Sequence, residues 1–142
     1  MLTAVRVAGL VPHAGAMCLL RHVLSHDASS IVCDADSHRD PANPLRRDGL
    51  LPAVSGVEYA LQAVAAHGAL TADGTPQPPG YLASLRRVAL HAVRLDDVAE
   101  DLTIEARALS VGASGFVYDI TVAAGGRVLL AGQAAIIVPV TA

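Results

Sequence analysis

The sequence contains no lysine and no tryptophan, and one phenylalanine and three tyrosines are its only aromatic residues besides histidine. All ten basic residues are arginines, and thirteen acidic residues outnumber them, which gives a net charge of −3. A broad basic surface for nucleic acid is therefore not expected. No apolar run reaches the ~20 residues of a membrane span. Residues 1–15 lack the charged start and long apolar block of a signal peptide, so we expect a cytoplasmic location and no membrane span.

Cofactor motifs are missing as well. There is no glycine-rich phosphate loop, and the two cysteines, Cys18 and Cys33, have no histidine pair at metal-ligand spacing. Both cysteines lie in apolar strand-like stretches and are expected to be small buried side chains in a reducing compartment. We expect neither a metal nor a nucleotide cofactor.

What the sequence has in abundance is aliphatic and alanine side chains. Hydrophobic residues make up 53 % of its 142 residues and charged residues only 16 %, which is apolar for one domain in water. The length suits a single domain over residues 1–142. The composition predicts that a partner subunit covers part of the surface.

The order of periodic segments predicts an α+β fold. Two apolar runs joined by a turn-like piece predict a hairpin, and a polar loop over 37–49 separates it from a helix over 52–68. Strand-like alternation then dominates, with two-glycine turns that favour hairpins. The predicted strands cover residues 17–24, 29–36, 81–95, 101–111, 116–124 and 127–140. One apolar helix among so many strands predicts a sheet that wraps around the helix as core.

The helix carries one formal charge, Glu58, between Asp48 and Asp73. On a helical wheel, Ser55, Glu58 and Gln62 form one stripe. The neighbouring apolar stripe consists of Val54, Val57, Leu61, Val64 and Ala65. Because no side of the helix looks solvated, we expect Glu58 to be mostly buried. Burying an unpaired carboxylate costs several kcal/mol, so the environment predicts either an acid/base group or a structural ion pair with an arginine.

Gly56 lies at the start of this helix, where glycine costs ~1 kcal/mol relative to alanine. It allows either the close approach of a substrate or close packing of helix on sheet. Free N–H groups near the helix N-terminus favour a developing oxyanion.

Several stretches together resemble the (3R)-hydroxyacyl-ACP dehydratases of fatty-acid synthesis. "LVPHAGAMCLLRHVL" resembles the opening of those enzymes, and "LPAVSGVEYALQA" resembles their helix motif Met-Pro-Gly-Val-x-x-x-Glu-x-Met-x-Gln-Ala. "GYLASLRRVALHAVRLDD" is similar to the strand that follows the helix. The stretch from His38 to Leu70 resembles more closely the dehydratase-like proteins of aryl-polyene and xanthomonadin-type pigment pathways.

The resemblance implies a hotdog fold, one long helix wrapped by a curved antiparallel sheet, working as a homodimer or as a heterodimer with another hotdog dehydratase. It implies two catalytic residues from opposite protomers, the helix carboxylate, here Glu58, and a histidine in Gly-His-Phe-Pro-Gly-x-Pro-x-x-Pro. With the last proline of that motif on Pro52, its histidine falls on Pro44, and "NPLRRDGLLP" replaces the motif. His38 and His13 are the candidates to replace it.

The resemblance further implies a substrate carried on the phosphopantetheine of acyl carrier protein. Substrate contacts are then expected at Ser55, Gly56, Val57 and Gln62. Because the carrier protein is acidic, we expect arginines to steer it, and the candidates are Arg46, Arg47, Arg86 and Arg87. Three functions remain open: a 3-hydroxyacyl-ACP dehydratase, a hotdog acyl thioesterase in which Glu58 activates water, and a non-catalytic subunit of a heterodimeric dehydratase.

Overall fold

Seven antiparallel strands form one open sheet around a single α-helix in the part of the chain that this computed structural model describes, residues 5–7, 15–71, 81–112 and 114–138. The helix α1 is Gly56–Thr71, preceded by a 3₁₀ turn at Ala53–Ser55. The strands are β1 Val5–Arg6, β2 His22–His26, β3 Ser30–Ala35, β4 Tyr81–Leu90, β5 Leu102–Gly112, β6 Gly115–Ala124 and β7 Arg127–Ile137. The predicted α+β architecture with a central helix is confirmed.

The sheet has the strand order β1-β2-β3-β5-β6-β7-β4. The predicted β2–β3 hairpin is confirmed, and β5, β6 and β7 follow one another as a meander. The strand after the helix, β4, crosses to the far edge and, among the described strands, pairs only with β7. The two edges are thus the two-residue β1 and the ten-residue β4.

The helix lies on only part of the concave face, because it packs on β3, β5 and β6. Its small residues let it sit close to the sheet. A Cβ on Gly56 would approach Leu130 and Val122 to 3.4 Å, so the glycine marks a tight helix–sheet contact. The concave side of β4 extends beyond the helix, since its leucines are exposed.

Several predicted boundaries are wrong. The strand predicted over 17–24 is β2 at His22–His26, and residues 15–17 form a 3₁₀ turn. The helix continues past Gly68 to Thr71, whose hydroxyl donates to the carbonyls of His67 and Gly68, both at 3.0 Å. The strand predicted over 81–95 ends at Leu90, because the chain then turns to run beside the start of the helix. There the amide of Leu95 donates to the carbonyl of Leu51 at 2.8 Å.

Candidate active site

Within the described residues, Glu58 lies on an exposed line that runs along α1 from the 3₁₀ turn before it. Its side chain is exposed, so the expectation of a buried carboxylate is wrong for the single chain. Val54, four residues before Glu58, is 52 % exposed, and Leu61 and Ala65, three and seven residues after it, are half-buried. The other predicted stripe residues, Val57 and Val64, are buried. One carboxylate therefore stands among aliphatic side chains on an exposed helix face.

A backbone hydrogen bond holds the start of this exposed line, at residues 53–54, beside the segment that follows β4. The amide of Ala53 donates to the carbonyl of Val93 at 3.1 Å, and Val93 itself is 89 % exposed. Val54, the next residue, begins the exposed line of the helix. An apolar surface thus runs from the residues after β4 onto the helix that carries Glu58.

The concave side of β4 is a second uncovered apolar surface. Leu90 is at the level of Leu130, which points at the helix, and Leu85 is at the level of the buried Ala134. Residues at matching levels of neighbouring strands share a face of the sheet. Leu90 is nevertheless 49 % exposed and Leu85 36 %. These side chains, with Leu82 and Val88, lie on the concave side of the sheet, and no helix of the described residues lies over them.

Of the predicted substrate contacts, Gly56 and Gln62 already form hydrogen bonds within the protein. The amide of Gly56 already donates to the carbonyls of Ala53 and Val54. Gln62 is fully buried, accepts a hydrogen bond from the amide of Leu19 at 2.9 Å and donates to the carbonyl of Met17 at 2.6 Å. Its amide therefore anchors the segment before β2 to the helix. Ser55 is half-buried and Val57 buried, and their contact with substrate stays a prediction.

His38 occupies a structural position. Its ring is fully buried, and Nε2 lies 3.1 Å from the carbonyl oxygen of Val98 and 3.0 Å from that of Glu100. Because both partners are acceptors, Nε2 carries the proton and donates. Burial lowers the pKa of His38, which favours the neutral ring. These surroundings support a role in holding two loops together and give no support to proton transfer with Glu58. His13, the other candidate, lies outside the described residues.

Replacing His38 with alanine should lower the free energy of unfolding by about 1–3 kcal/mol, since two carbonyls lose their donor. The folded-state pKa is lowered, so the unfolded chain takes up the proton first as pH falls through about 6.5. Wild-type stability should therefore fall between about pH 7.5 and 5.5, and fall less in the variant. Urea unfolding at both pH values measures this, with the exposed His91→Ala as control. Equal falls in wild type and His38→Ala would contradict the buried neutral ring.

Tyr59, next to Glu58 in the helix, organises the loop that replaces the histidine motif. Its hydroxyl lies 2.8 Å from the hydroxyl of Ser37 and accepts a hydrogen bond from Nδ2 of Asn43 at 3.0 Å. Asn43 also donates to the carbonyl of Ser37 at 2.9 Å. Sequence reasoning did not single out this network. The available signal was a tyrosine on the helix together with an asparagine in a proline-rich loop.

The four arginines predicted to bind the carrier protein differ in the hydrogen bonds that their guanidinium groups already make. Arg46 donates to three backbone carbonyls of its own loop, those of Asp40, Gly49 and His38, at 3.0, 2.7 and 3.1 Å. Its guanidinium is thereby committed to loop structure. Arg47 is exposed and donates to the carbonyl of Arg46. Arg86 and Arg87 are exposed on β4.

Two further findings concern the described residues only. They contain no group of three or more His, Cys, Asp or Glu side chains placed to hold a metal ion. None of their helices has the length and apolarity needed to cross a membrane.

Comparison with solved structures shows the hotdog fold. The chain superimposes on a chain of the dehydratase heterocomplex ApeI:P from Xenorhabdus doucetiae with a TM-score of 0.82 and 21 % identity, over 96 % of this chain and 93 % of that chain. Zebra fish thioesterase superfamily member 2 matches with a TM-score of 0.63 and 15 % identity, over 90 % of this chain and 89 % of that chain. A mutant thioesterase from Pseudomonas aeruginosa matches with a TM-score of 0.59 and 17 % identity, over 83 % of this chain and 79 % of that chain.

Among curated proteins, none matches the sequence. The model of the ApeP-like family, described as ApeP dehydratase, matches residues 5–142. That match covers the sheet, the helix with Glu58 and the loop that lacks the histidine motif. The chain is a dehydratase-like hotdog protein and belongs to the ApeP-like family.

Proposed function

We propose that this chain is one subunit of a two-chain 3-hydroxyacyl-ACP dehydratase of polyene or fatty-acid type, and that Glu58 is the acid/base group it contributes. The observation that carries the proposal is the exposed Glu58 on an apolar helix line beside an uncovered apolar face. Within the described residues, no hydrogen bond or ion pair joins Glu58 to another side chain. This chain would supply one half of the site, and a second hotdog chain would supply the other half and enclose it.

The reaction needs two proton transfers at one thioester. A base removes the α-proton, which the thioester carbonyl makes acidic, and an acid protonates the β-hydroxyl as it leaves as water, giving the enoyl thioester. In the proposed site Glu58 handles one proton. The second group comes from the partner, because Pro44 stands where the family histidine would be and His38 is buried in the fold.

A covered site would strengthen this chemistry. Once a partner lies over the helix line, Glu58 and the thioester would share a water-poor groove in which charge interactions are stronger than in water. The acyl chain would lie along the aliphatic side chains of α1 and β4, and the phosphopantetheine of the carrier protein would deliver it. The match to a chain of the ApeI:P heterocomplex supports a partner that is not a second copy. No further cofactor is proposed, and the cytoplasmic location expected from the sequence stays a prediction.

An assay of the purified chain on 3-hydroxyacyl-ACP, alone and mixed with a partner hotdog dehydratase, tests the proposal. Mass spectrometry of the carrier-bound acyl group separates the outcomes. We expect enoyl product in the mixture and none from the chain alone. Enoyl product from the chain alone would overturn the two-chain site, and release of free acid would identify a thioesterase instead.

Carrier-protein docking is proposed to involve Arg47. This residue is exposed in the loop that leads into α1, whereas the guanidinium of Arg46 is held by carbonyls. Arg47→Glu should raise KM for the acyl-carrier substrate several-fold at low salt, with little change in kcat, because an exposed charge acts mainly on encounter. Arg127→Glu, equally exposed at the start of β7, is the matched control. An unchanged KM would remove Arg47 from the docking surface.

A further inference from the structure

The long edge strand β4 carries two arginines that the proposed reaction does not use. In the part of the chain that the structure describes, it is paired on one side only and its concave side chains are exposed. An edge strand that only needed protection from pairing would be expected to be short or polar. This edge is ten residues long and largely aliphatic, which favours a second chain beside it.

The charge on β4 is of one sign. Arg86 and Arg87 are exposed, the strand contains no Asp or Glu, and neither arginine forms an ion pair within the described part of the chain. Both lie next to the middle of the strand, which runs from residue 81 to residue 90. The position of these two charges affects whether β4 can pair with β4 of a second copy.

Two-fold symmetry would bring these charges together. If β4 paired antiparallel with β4 of a second copy in nearly full overlap, facing residues would share a face of the sheet, so residue 82 would face residue 90 and Arg86 would face Arg86 of the second copy. Both arginines of each copy would then lie within two positions of the axis, four guanidinium groups in all and no carboxylate on either strand. Like charges at facing positions destabilise a strand pair. Sliding the register would separate them only by giving up overlap of the apolar surface.

The backbone adds a second restriction at the same place. The pairing of β4 with β7 shifts register between Arg86 and Ala89, and Arg87 has a positive φ of 54°, which is uncommon for a residue with a side chain. This bulge bends the ladder close to the axis of the hypothetical self-pair. A regular self-pair is thus disfavoured by both charge and geometry.

We propose that Arg86 and Arg87 make β4 reject a second copy of this chain and accept the edge strand of a non-identical hotdog chain that carries Asp or Glu near its centre. This inference rests on the proposed two-chain site for its partner and adds what selects that partner. It also gives Arg86 and Arg87 a role in assembly rather than in carrier-protein docking.

Charge-reversed copies of this same chain test the proposal without a second protein. We expect wild type alone and Arg86→Glu/Arg87→Glu alone to associate weakly, and an equimolar mixture to form mixed dimers. Analytical ultracentrifugation, with native mass spectrometry of a tagged copy, measures the three dissociation constants. The mixed dimer should be tighter by on the order of tenfold, since attraction replaces repulsion at the axis. Raising the salt from about 0.05 to 0.5 M should shrink that difference.

The control reverses two exposed arginines away from the edge, Arg107→Glu/Arg127→Glu, whose mixture with wild type should show no preference. Because Arg87 has a left-handed backbone, Arg86→Glu alone serves as a second variant if the double change disturbs folding. A wild-type self-dimer as tight as the mixed dimer, or no mixed dimer at all, would overturn the proposal. The readout is assembly without substrate, so its failure leaves the dehydratase proposal standing, and a failed dehydration assay leaves the assembly result standing.

Discussion

Glu58→Gln should lower kcat of the assembled dehydratase by about 10²–10⁴-fold, the usual contribution of one acid/base group. Glutamine keeps the size of the side chain and can still accept and donate hydrogen bonds, but it cannot exchange a proton with substrate. Because Glu58 is exposed in the protomer and makes no polar contact within the described residues, the free energy of unfolding should change by less than about 0.5 kcal/mol. Steady-state kinetics on 3-hydroxyacyl-ACP, with the partner chain present, measures the loss.

The matched control is Glu105→Gln. Glu105 also sits between apolar neighbours, but on the convex face of β5, since Ile104 and Ala106 on either side are fully buried. The same chemical change there should leave kcat unchanged. If Glu58→Gln kept full activity in a correctly assembled complex, the catalytic group would belong wholly to the partner, and this chain would be a non-catalytic subunit.

The sheet could be predicted from sequence because its signals are local. Alternation of Leu102, Ile104 and Ala106 with polar residues marks β5, and all three are fully buried. The pair Gly125 and Gly126 marks the β6–β7 turn, and both have positive φ, 56° and 78°, which glycine adopts without strain. Such patterns need no knowledge of distant residues.

The orientation of the helix could not be predicted in the same way. Alanine and valine occur on every side of α1, so a helical wheel has little contrast to show which face meets the sheet. The sheet decides it, because Gly56 fits against β6 and β7 while Val54 and Glu58 are left exposed. The wheel grouped Val54 with Val57 and Val64 in one apolar stripe, but Val54 is exposed and the other two are buried.

The hydrogen-bond partners of the histidine and polar side chains near the site could not be predicted from the sequence either. His38 looked available because it lies in a polar loop, but the carbonyls that hold it come from residues 98 and 100, about sixty positions along the chain. Gln62 matched a family position, yet its partners are backbone groups before β2. Long-range hydrogen bonds of this kind leave no periodic trace in the sequence.

Leu85→Asp combined with Leu90→Asp should abolish assembly with the partner chain and, with it, dehydration. Both side chains lie on the concave side of β4, where the protomer leaves them 36 % and 49 % exposed. In the proposed complex they become part of the apolar groove. Each aspartate would then be desolvated without a partner, and the loss of one buried anchor alone costs ~2 kcal/mol or more, about 30-fold in affinity. The pair together should weaken binding by at least ~10³-fold, as measured by titration calorimetry.

Because these leucines are not buried in the protomer, the variant should still fold, with an unfolding midpoint close to that of wild type. Leu24→Asp is the matched control: Leu24 is 39 % exposed, but it lies on β2, near the opposite edge of the sheet. It should bind the partner as wild type does. If the β4 variant folded, bound the partner with unchanged affinity and still dehydrated substrate, the concave side of β4 would not be the covered surface. The groove that encloses Glu58 would then have to be closed from another side.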